Sequence, residues 1–320
     1  MDMDLISRLT SIEALIGNTP LRKLDCDTMH LYAKLEYNNF SGSIKDRAAY
    51  NILLEAIRDG LVYENTEIIE SSSGNFAIAL GSLCRVLKLK FIAVIDPNIN
   101  ALYEKQIRLL TDHVIKVETV DHTGGYLLSR IDRVKEICNS KDNIFWTNQY
   151  ENENNYLAYY KGMGAEICSS FSALDYLFVA VSSCGTITGL SRKVKEKFPK
   201  ITIVAVDIEG SVIFGAPAKK RHVSGIGASK TPLILKEAVI DEIVHVSEVN
   251  IVRGATRLLR DHNIFSGASA GASYWAVSNF FKDDCDPSRS VLFLCPDRGH
   301  GYIDTVYDHA WATKIDLLSL

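Results

Sequence analysis

Lys45 stands in the segment Ser41–Arg47 (SGSIKDR), directly after a Gly-Ser turn and at the start of a helical pattern. A lysine in that position opposes the helix macrodipole. On a solvated first turn it would be an ordinary surface residue. In a partly dry cleft, its amine could instead condense with an aldehyde carried by a cofactor. Three further segments share the same design, with small polar residues where a strand ends and a helix begins: Ser71–Asn75 (SSSGN), Ser182–Thr186 (SSCGT) and Gly267–Gly271 (GASAG). In open α/β sheets, ligands sit outside the carboxyl ends of strands, where helix N-termini present free N–H groups. Each segment taken alone could be a helix cap; four in one chain suggest a built site.

The residues Ser182, Ser183, Cys184, Gly185 and Thr186 follow an apolar run, YLFVAV, and could wrap a dianionic phosphate with backbone N–H groups and hydroxyls. No GK[ST] follows them and no GxGxxG occurs in the chain, so nucleotide-loop readings fail. GASAG also fits the GxSxG nucleophile elbow of serine hydrolases, with Ser269 as nucleophile and Asp297, then His300 or His309, in the matching order. The short stretch between Ser269 and Asp297 is cramped for the elements that fold requires. The eight histidines show no HxH or HExxH spacing, so no metal site is expected.

The elements that must carry these segments alternate regularly. Runs at His30–Glu36, Glu67–Glu70, Lys90–Ile95, Val114–Glu118, Tyr176–Val181, Ile201–Asp207, Ile243–Val246 and Val291–Cys295 read as strands. Helical patterns fall at Lys45–Arg58, Asn75–Leu87, Tyr103–Thr111, Tyr126–Cys138, Tyr156–Ser170, Thr188–Lys197, Glu248–Asp261 and Ala272–Phe281. Alternation of this kind predicts an α/β protein with mostly parallel sheets covered by helices, in two domains flanking a cleft. Tyr150–Asn155 (YENENN) is the expected crossing between them, and the long loop Gly210–Pro232 is expected to be functional. With 35 basic and 39 acidic side chains the net charge is −4, which argues against nucleic acid as the main partner. No apolar run reaches the ~18 residues of a membrane span. The N-terminus lacks a signal-peptide pattern, and seven cysteines without CxxC pairs argue against zinc ribbons and a disulfide framework. A cytoplasmic protein is expected.

In register, these segments resemble the cysteine synthase/cystathionine β-synthase group of pyridoxal-phosphate enzymes, fold type II, the tryptophan-synthase-β type. Leu15–Leu21 (LIGNTPL) and Ala33–Glu36 (AKLE) precede SGSIKDR; Gln149 in NQYEN, Gly225–Ala228 (GIGA) and Pro296–Asp297 complete the series across nearly the whole chain. The resemblance implies pyridoxal 5′-phosphate held by Lys45 as an internal aldimine, with Asn75 donating to its ring hydroxyl. Ser182–Thr186 would bind the phosphate and Ser269 would contact the pyridine nitrogen. Ser71, Ser72, Ser73, Gly74 and Gln149 would hold the amino-acid carboxylate. A neutral hydroxyl at the ring nitrogen favours β-elimination and β-replacement through an aminoacrylate, and Lys45 is the evident base for the Cα proton. The resemblance further implies a smaller mobile substrate domain over residues 42–150, a larger cofactor-binding domain of 1–41 plus 151–320, and a homodimer.

The chain departs from ordinary cysteine synthases at Phe76–Ala77 after the SSSGN loop, at SSCGT where GTGGT is usual, and at Asp96–Asn100 (DPNIN). With His122–Leu127 (HTGGYL), Asn148–Tyr150, Gly210–Gly215, Gly225–Lys230 and Pro296–Gly299, these features resemble a narrower branch. That branch comprises the N-(2-amino-2-carboxyethyl)-L-glutamate synthases, which join O-phospho-L-serine to L-glutamate for siderophore 2,3-diaminopropionate. Glutamate brings two carboxylates, so its site needs fixed cationic or hydroxyl donors. Arg130, Tyr150 and Ser182 are the expected substrate-binding residues for it. A cysteine synthase using O-acetylserine or O-phosphoserine with sulfide is the nearest rival, and the serine hydrolase at GASAG a rival of another class. A cofactor-retaining regulatory protein without turnover is disfavoured by the presence of Lys45, Asn75 and Ser269.

Overall fold

A computed structural model describes residues 2–122 and 124–318. Thr123, inside the HTGGYL segment, lies outside the described residues. The strands are β1 (Leu21–Leu24), β2 (His30–Leu35), β3 (Glu67–Ser71), β4 (Phe91–Ile95), β5 (His113–Lys116), β6 (Ile144–Trp146), β7 (Tyr176–Ala180), β8 (Thr202–Ile208), β9 (Glu242–Val246) and β10 (Ser290–Cys295). They form a six-stranded sheet in the order β1-β2-β10-β7-β8-β9 and a four-stranded sheet in the order β5-β4-β3-β6. Every pairing is parallel except β1 with β2. The α/β class with mostly parallel sheets is therefore as the alternating pattern predicted. Strands β4 and β10 are buried along their full length, as expected where helices cover both faces of a parallel sheet.

The helices are α1 (Met3–Thr10), α2 (Lys45–Arg58), α3 (Asn75–Leu87), α4 (Ala101–Leu110), α5 (Leu127–Asn139), α6 (Glu153–Ala158), α7 (Gly164–Ser170), α8 (Gly185–Lys197), α9 (Glu248–His262), α10 (Ala268–Phe280) and α11 (His309–Leu318). One hydrophobic cluster joins the two sheets: Ile68, Phe91 and Ala93 of the smaller share it with Leu177, Ile203 and Leu292 of the larger, through α2 and α3. A second fills the other face of the large sheet under α9 and α10. A small third cluster, including Ile69, Ile92 and Val134, seals α5 onto the small sheet. Among the described residues no helix is long and apolar enough to cross a membrane.

Some local expectations change. The helix expected over Tyr156–Ser170 is three pieces, α6 and α7 separated by a π turn at Tyr159–Met163. Helix α10 begins at Ala268 rather than Ala272, so GASAG is the first turn of a helix and not the loop before it. The structure adds the short strands β1 and β6 and the amphipathic helix α1, whose Leu5 and Leu9 are buried on one face. β1 is an edge strand whose Arg22 and Lys23 are exposed, a usual guard against edge pairing.

Candidate active site

The Lys45 turn is held from several sides. Asp46, fully buried, reaches back to accept from Ser41 Oγ at 2.6 Å, Ser41 N–H at 2.9 Å and Ser43 N–H at 3.4 Å. Ile44 N–H donates to the carbonyl of Pro296 at 2.8 Å, and Ser43 makes an antiparallel bridge to Asp297. These contacts place Lys45 at the first position of α2, above the carboxyl end of β10. Farther along α2, Arg47 forms paired bonds to Glu36 (2.7 and 2.9 Å) and to Glu166 (2.7 and 2.9 Å). Lys34 bonds Glu166 at 2.6 Å and Thr19 Oγ1 donates to Glu36 at 2.5 Å. Burial pushes the Glu166 carboxyl up, but Arg47 and Lys34 together hold it down to about 2. This network fastens the Lys45 helix to β2 and α7.

The Lys45 residue stays partly open to a cavity of about 820 Å³. Burial lowers the affinity of its amine for a proton, opposed by Cys184 and Asp297. Its Nζ donates to Ser183 Oγ at 3.4 Å, so the amine meets the SSCGT turn directly. That turn joins β7 to α8, with Cys184 in the left-handed region at φ 63°. One left-handed residue before a helix aims successive N–H groups at a common point, a concavity that favours an anion. Gly185 packs the turn closely on α6: a Cβ there would stand 2.1 Å from Asn155 Oδ1. Ser182 Oγ donates to the carbonyl of Gly227 at 3.1 Å, tying the turn to the long loop, and Thr186 lines the cavity.

Asn75 opens α3 and its Nδ2 donates to Asp297 Oδ2 at 2.7 Å; Tyr302 donates to the same oxygen at 2.8 Å. Burial pushes the Asp297 carboxyl up to about 6, against hydrogen bonds from Tyr302 and Asn75 and the nearby Lys45. Its Oδ1 is buried without a hydrogen-bond partner and lies 2.0 Å from where a Cβ on Gly267 would stand. Gly267 therefore has to be glycine at the cap of α10, two residues before Ser269, which is buried and lines the cavity. The hydrolase arrangement is not assembled. Ser269 is inside a regular helix, Asp297 is bonded to Asn75 and Tyr302, and His300 packs its ring edge-on against Phe265.

On the opposite wall lie Ser71, Ser72, Ser73 and Gly74, with Gln149 and Tyr150. Ser72 Oγ accepts from Ala77 N–H at 3.2 Å. Arg130 donates from Nη1 to Ser73 Oγ at 2.8 Å and stands 3.3 Å from Asp96, while its buried Nε has no hydrogen-bond partner. Burial raises the Tyr150 phenol, eased by Arg130. The structure thus brings the sequence-derived site residues to line one cavity, except Gly185, which packs behind the turn against Asn155. It adds Tyr103, Tyr302, Asp96, Lys219, Lys220 and Arg221. The last three form a basic run in the loop singled out for its length, and that run was a usable signal.

A lysine amine facing an anion cradle across the carboxyl ends of parallel strands defines an enzyme built for a cofactor with an aldehyde and a phosphate. The chain belongs to the pyridoxal-phosphate dependent enzyme family, whose model matches residues 12–297. It is an enzyme of the β-replacement class within that family. It is 40% identical over 310 residues to the N-(2-amino-2-carboxyethyl)-L-glutamate synthase of Ralstonia nicotianae, covering 95% of this chain and 91% of the relative. Among solved structures it is similar to the O-acetylserine dependent cystathionine beta-synthase of Helicobacter pylori (TM-score 0.85, 27% identity, 92% of this chain and 97% of that one). It is also similar to an O-ureido-L-serine synthase (TM-score 0.85, 26% identity, 93% and 95%). The residues present fit pyridoxal phosphate: the Lys45 amine, the SSCGT turn it bonds, with Cys184 left-handed before α8, and Asn75 and Ser269 line one cavity.

Proposed function

We propose that the protein joins O-phospho-L-serine to L-glutamate, giving N-(2-amino-2-carboxyethyl)-L-glutamate and inorganic phosphate. The Cβ–O bond to phosphate breaks and a Cβ–N bond to the glutamate amine forms. The observation that carries this reading is the set of cations on the cavity wall: Arg130, with a buried unpartnered Nε, and the run Lys219–Arg221. Sulfide as nucleophile would need none of them, whereas a phosphate ester and a dicarboxylic acid need fixed donors. The 40% identity to a synthase of that name supports the same reading.

Bound pyridoxal phosphate supplies an aldehyde that condenses with amines and an electron sink for the Cα carbanion. In this reading the residues of the chain do the rest. Lys45 Nζ is the amine that would hold the aldehyde, and as a free amine it would take the substrate Cα proton and later return it. Burial keeps that amine nearer neutrality, as a base requires. The α8 N-terminus with Ser182–Thr186 would hold the cofactor phosphate, Asn75 its ring hydroxyl and Ser269 its ring nitrogen. Ser71–Gly74 and Gln149 hold the substrate α-carboxylate. Arg130, with Tyr150 and Ser182, receives the side-chain carboxylate of glutamate. Residues 42–150 act as the smaller mobile domain that closes over the substrate, against a larger domain of 1–41 plus 151–320. We also read the protein as a cytoplasmic homodimer serving siderophore 2,3-diaminopropionate synthesis, on the strength of the sequence resemblance.

The test is product analysis. Purified protein with O-phosphoserine and a panel of amino acids, read by mass spectrometry, should form the glutamate adduct and release phosphate. Product with sulfide but none with glutamate would make it a cysteine synthase.

A further inference from the structure

Glu70 touches none of the groups to which the proposed reaction gives a role in chemistry, yet it ties together the two segments assigned above to the substrate carboxylate. It is fully buried near the end of β3. The ladder between β3 and β6 runs out here: Ile69 pairs with Trp146, and Thr147 N–H makes a last bond to the carbonyl of Ile69 at 3.3 Å. Beyond that point the Glu70 carboxylate replaces the ladder. Its Oε1 accepts from Ser71 N–H at 2.8 Å, the first residue of SSSGN. Its Oε2 accepts from Thr147 Oγ1 at 2.6 Å and from Gln149 N–H at 3.3 Å. The Gln149 carbonyl is fixed independently by Asn155 Nδ2 at 2.5 Å. One side chain therefore sets the spacing between the Ser71–Gly74 turn and the Gln149 strand end, on the cavity wall.

We propose that Glu70 is a positioning residue for amino-acid binding, holding SSSGN and Gln149 at the separation that an α-carboxylate bridges. The proposal rests on the reading of those two segments as the carboxylate site. A carboxylate suits the task and an amide does not. All three donors, two of them backbone N–H groups on different segments, converge on its two oxygens. Glutamine in its place would turn an NH2 toward one backbone N–H whichever way it is flipped, breaking one tether with no change in volume.

The experiment titrates the holoenzyme with L-alanine, an amino acid without a β-leaving group, and follows the visible absorbance of the cofactor. Glu70→Gln should weaken L-alanine binding about tenfold, the loss expected for one misplaced charged hydrogen bond. The spectrum without amino acid and the cofactor affinity should match the parent. Thr147→Val, which removes one donor and leaves the carboxylate, should weaken binding by about threefold on the same scale. In turnover, KM for the first substrate should rise in both variants while kcat at saturation holds. Gln149→Ala is the control for the underlying reading. If it weakens L-alanine binding while Glu70→Gln and Thr147→Val retain the parent affinity, the role of Glu70 is refuted and the carboxylate site stands. If Gln149→Ala binds L-alanine as the parent does, the carboxylate site itself is wrong and the proposal falls with it. Loss of the cofactor spectrum in both Glu70→Gln and Thr147→Val would mean these groups merely hold the fold, which also overturns it.

Discussion

At the scale of single residues, the site is a set of groups whose properties come from burial as much as from identity. Lys45 is an ordinary amine made less basic by desolvation, and it is fixed by a turn that Asp46 caps from beneath. Borohydride reduction of the yellow holoenzyme should attach the cofactor to the peptide bearing Lys45; an adduct on any other lysine would displace it from the centre of the site. Arg130 is held between Ser73 and Asp96 with one face unpartnered. Arg130→Ala should leave phosphate release from O-phosphoserine alone intact and slow consumption of glutamate by roughly tenfold to a hundredfold, as for a lost charged hydrogen bond of about 1.5–3 kcal/mol. Stopped-flow spectra separate the halves. Equal loss in the first half would reassign Arg130 to the first substrate. Sequence spacing located Lys45, Asn75, Ser269 and the SSCGT turn because each lies in a run of small polar residues at the start of a helix, a local signature, although in the structure α10 follows α9 with no strand between them. It passed over Tyr302 and Glu70, since a tyrosine or glutamate at those positions reads as ordinary until its buried partners, 222 residues apart in the case of Asn75 and Asp297, are known.

At the scale of elements, α2 is the member that most needs anchoring, because it carries Lys45 between the two sheets. The anchor is ionic: Arg47 satisfies both Glu36 and Glu166, and Lys34 completes the set. Such a network contributes little over a well-packed apolar substitute, but losing one member strands the others. Arg47→Met would leave Glu36, which is fully buried, without its main counterion. A loss of about 3–5 kcal/mol in chemical denaturation is expected, with reduced cofactor affinity because the Lys45 turn loosens. A variant as stable as the parent would show that Lys34 alone neutralises both carboxylates. The boundaries of α10 and the broken helix at Tyr159–Met163 were not legible in the sequence. GASAG contains small residues that suit either a loop or a tightly packed helix, and only neighbours pressed against it decide between them.

At the scale of the whole molecule, burial holds four carboxyls among the described residues above their ordinary range: Glu70 at about 7, Asp46 and Asp297 at about 6, and Asp207, which is also raised. A carboxyl raised in the folded state binds its proton more tightly there than in the unfolded chain. Its contribution to stability is therefore present in mild acid and declines as pH rises through the folded value. Between pH 5 and 8 the parent should lose stability relative to Glu70→Gln, whose amide does not titrate. The stability of the parent relative to Glu70→Gln should fall as pH rises toward about 7 and level off above it, and a difference that stays constant from pH 5 to 8 would show Glu70 ionised below that range. Glu166, held low, acts oppositely and only in stronger acid, as pH falls toward about 2.

The α/β class, the order of most elements and the segments that meet at the carboxyl ends of the strands are legible in the amino-acid sequence. Hydrophobic periodicity and small polar turns are local signals, readable within ten or fifteen residues. Which of two chemistries GASAG serves, and which charges face the cavity, follow only from long-range packing. Asp297 could have completed a hydrolytic triad by chain order; folding gave it to Asn75 and Tyr302 and left His300 against Phe265. Lys219–Arg221 could have been a solvated basic run, yet the loop returns them to the cavity wall. Partners of this kind lie tens to hundreds of residues apart, and their meeting is fixed by the packing of two sheets around a shared core, which short-range pattern does not encode.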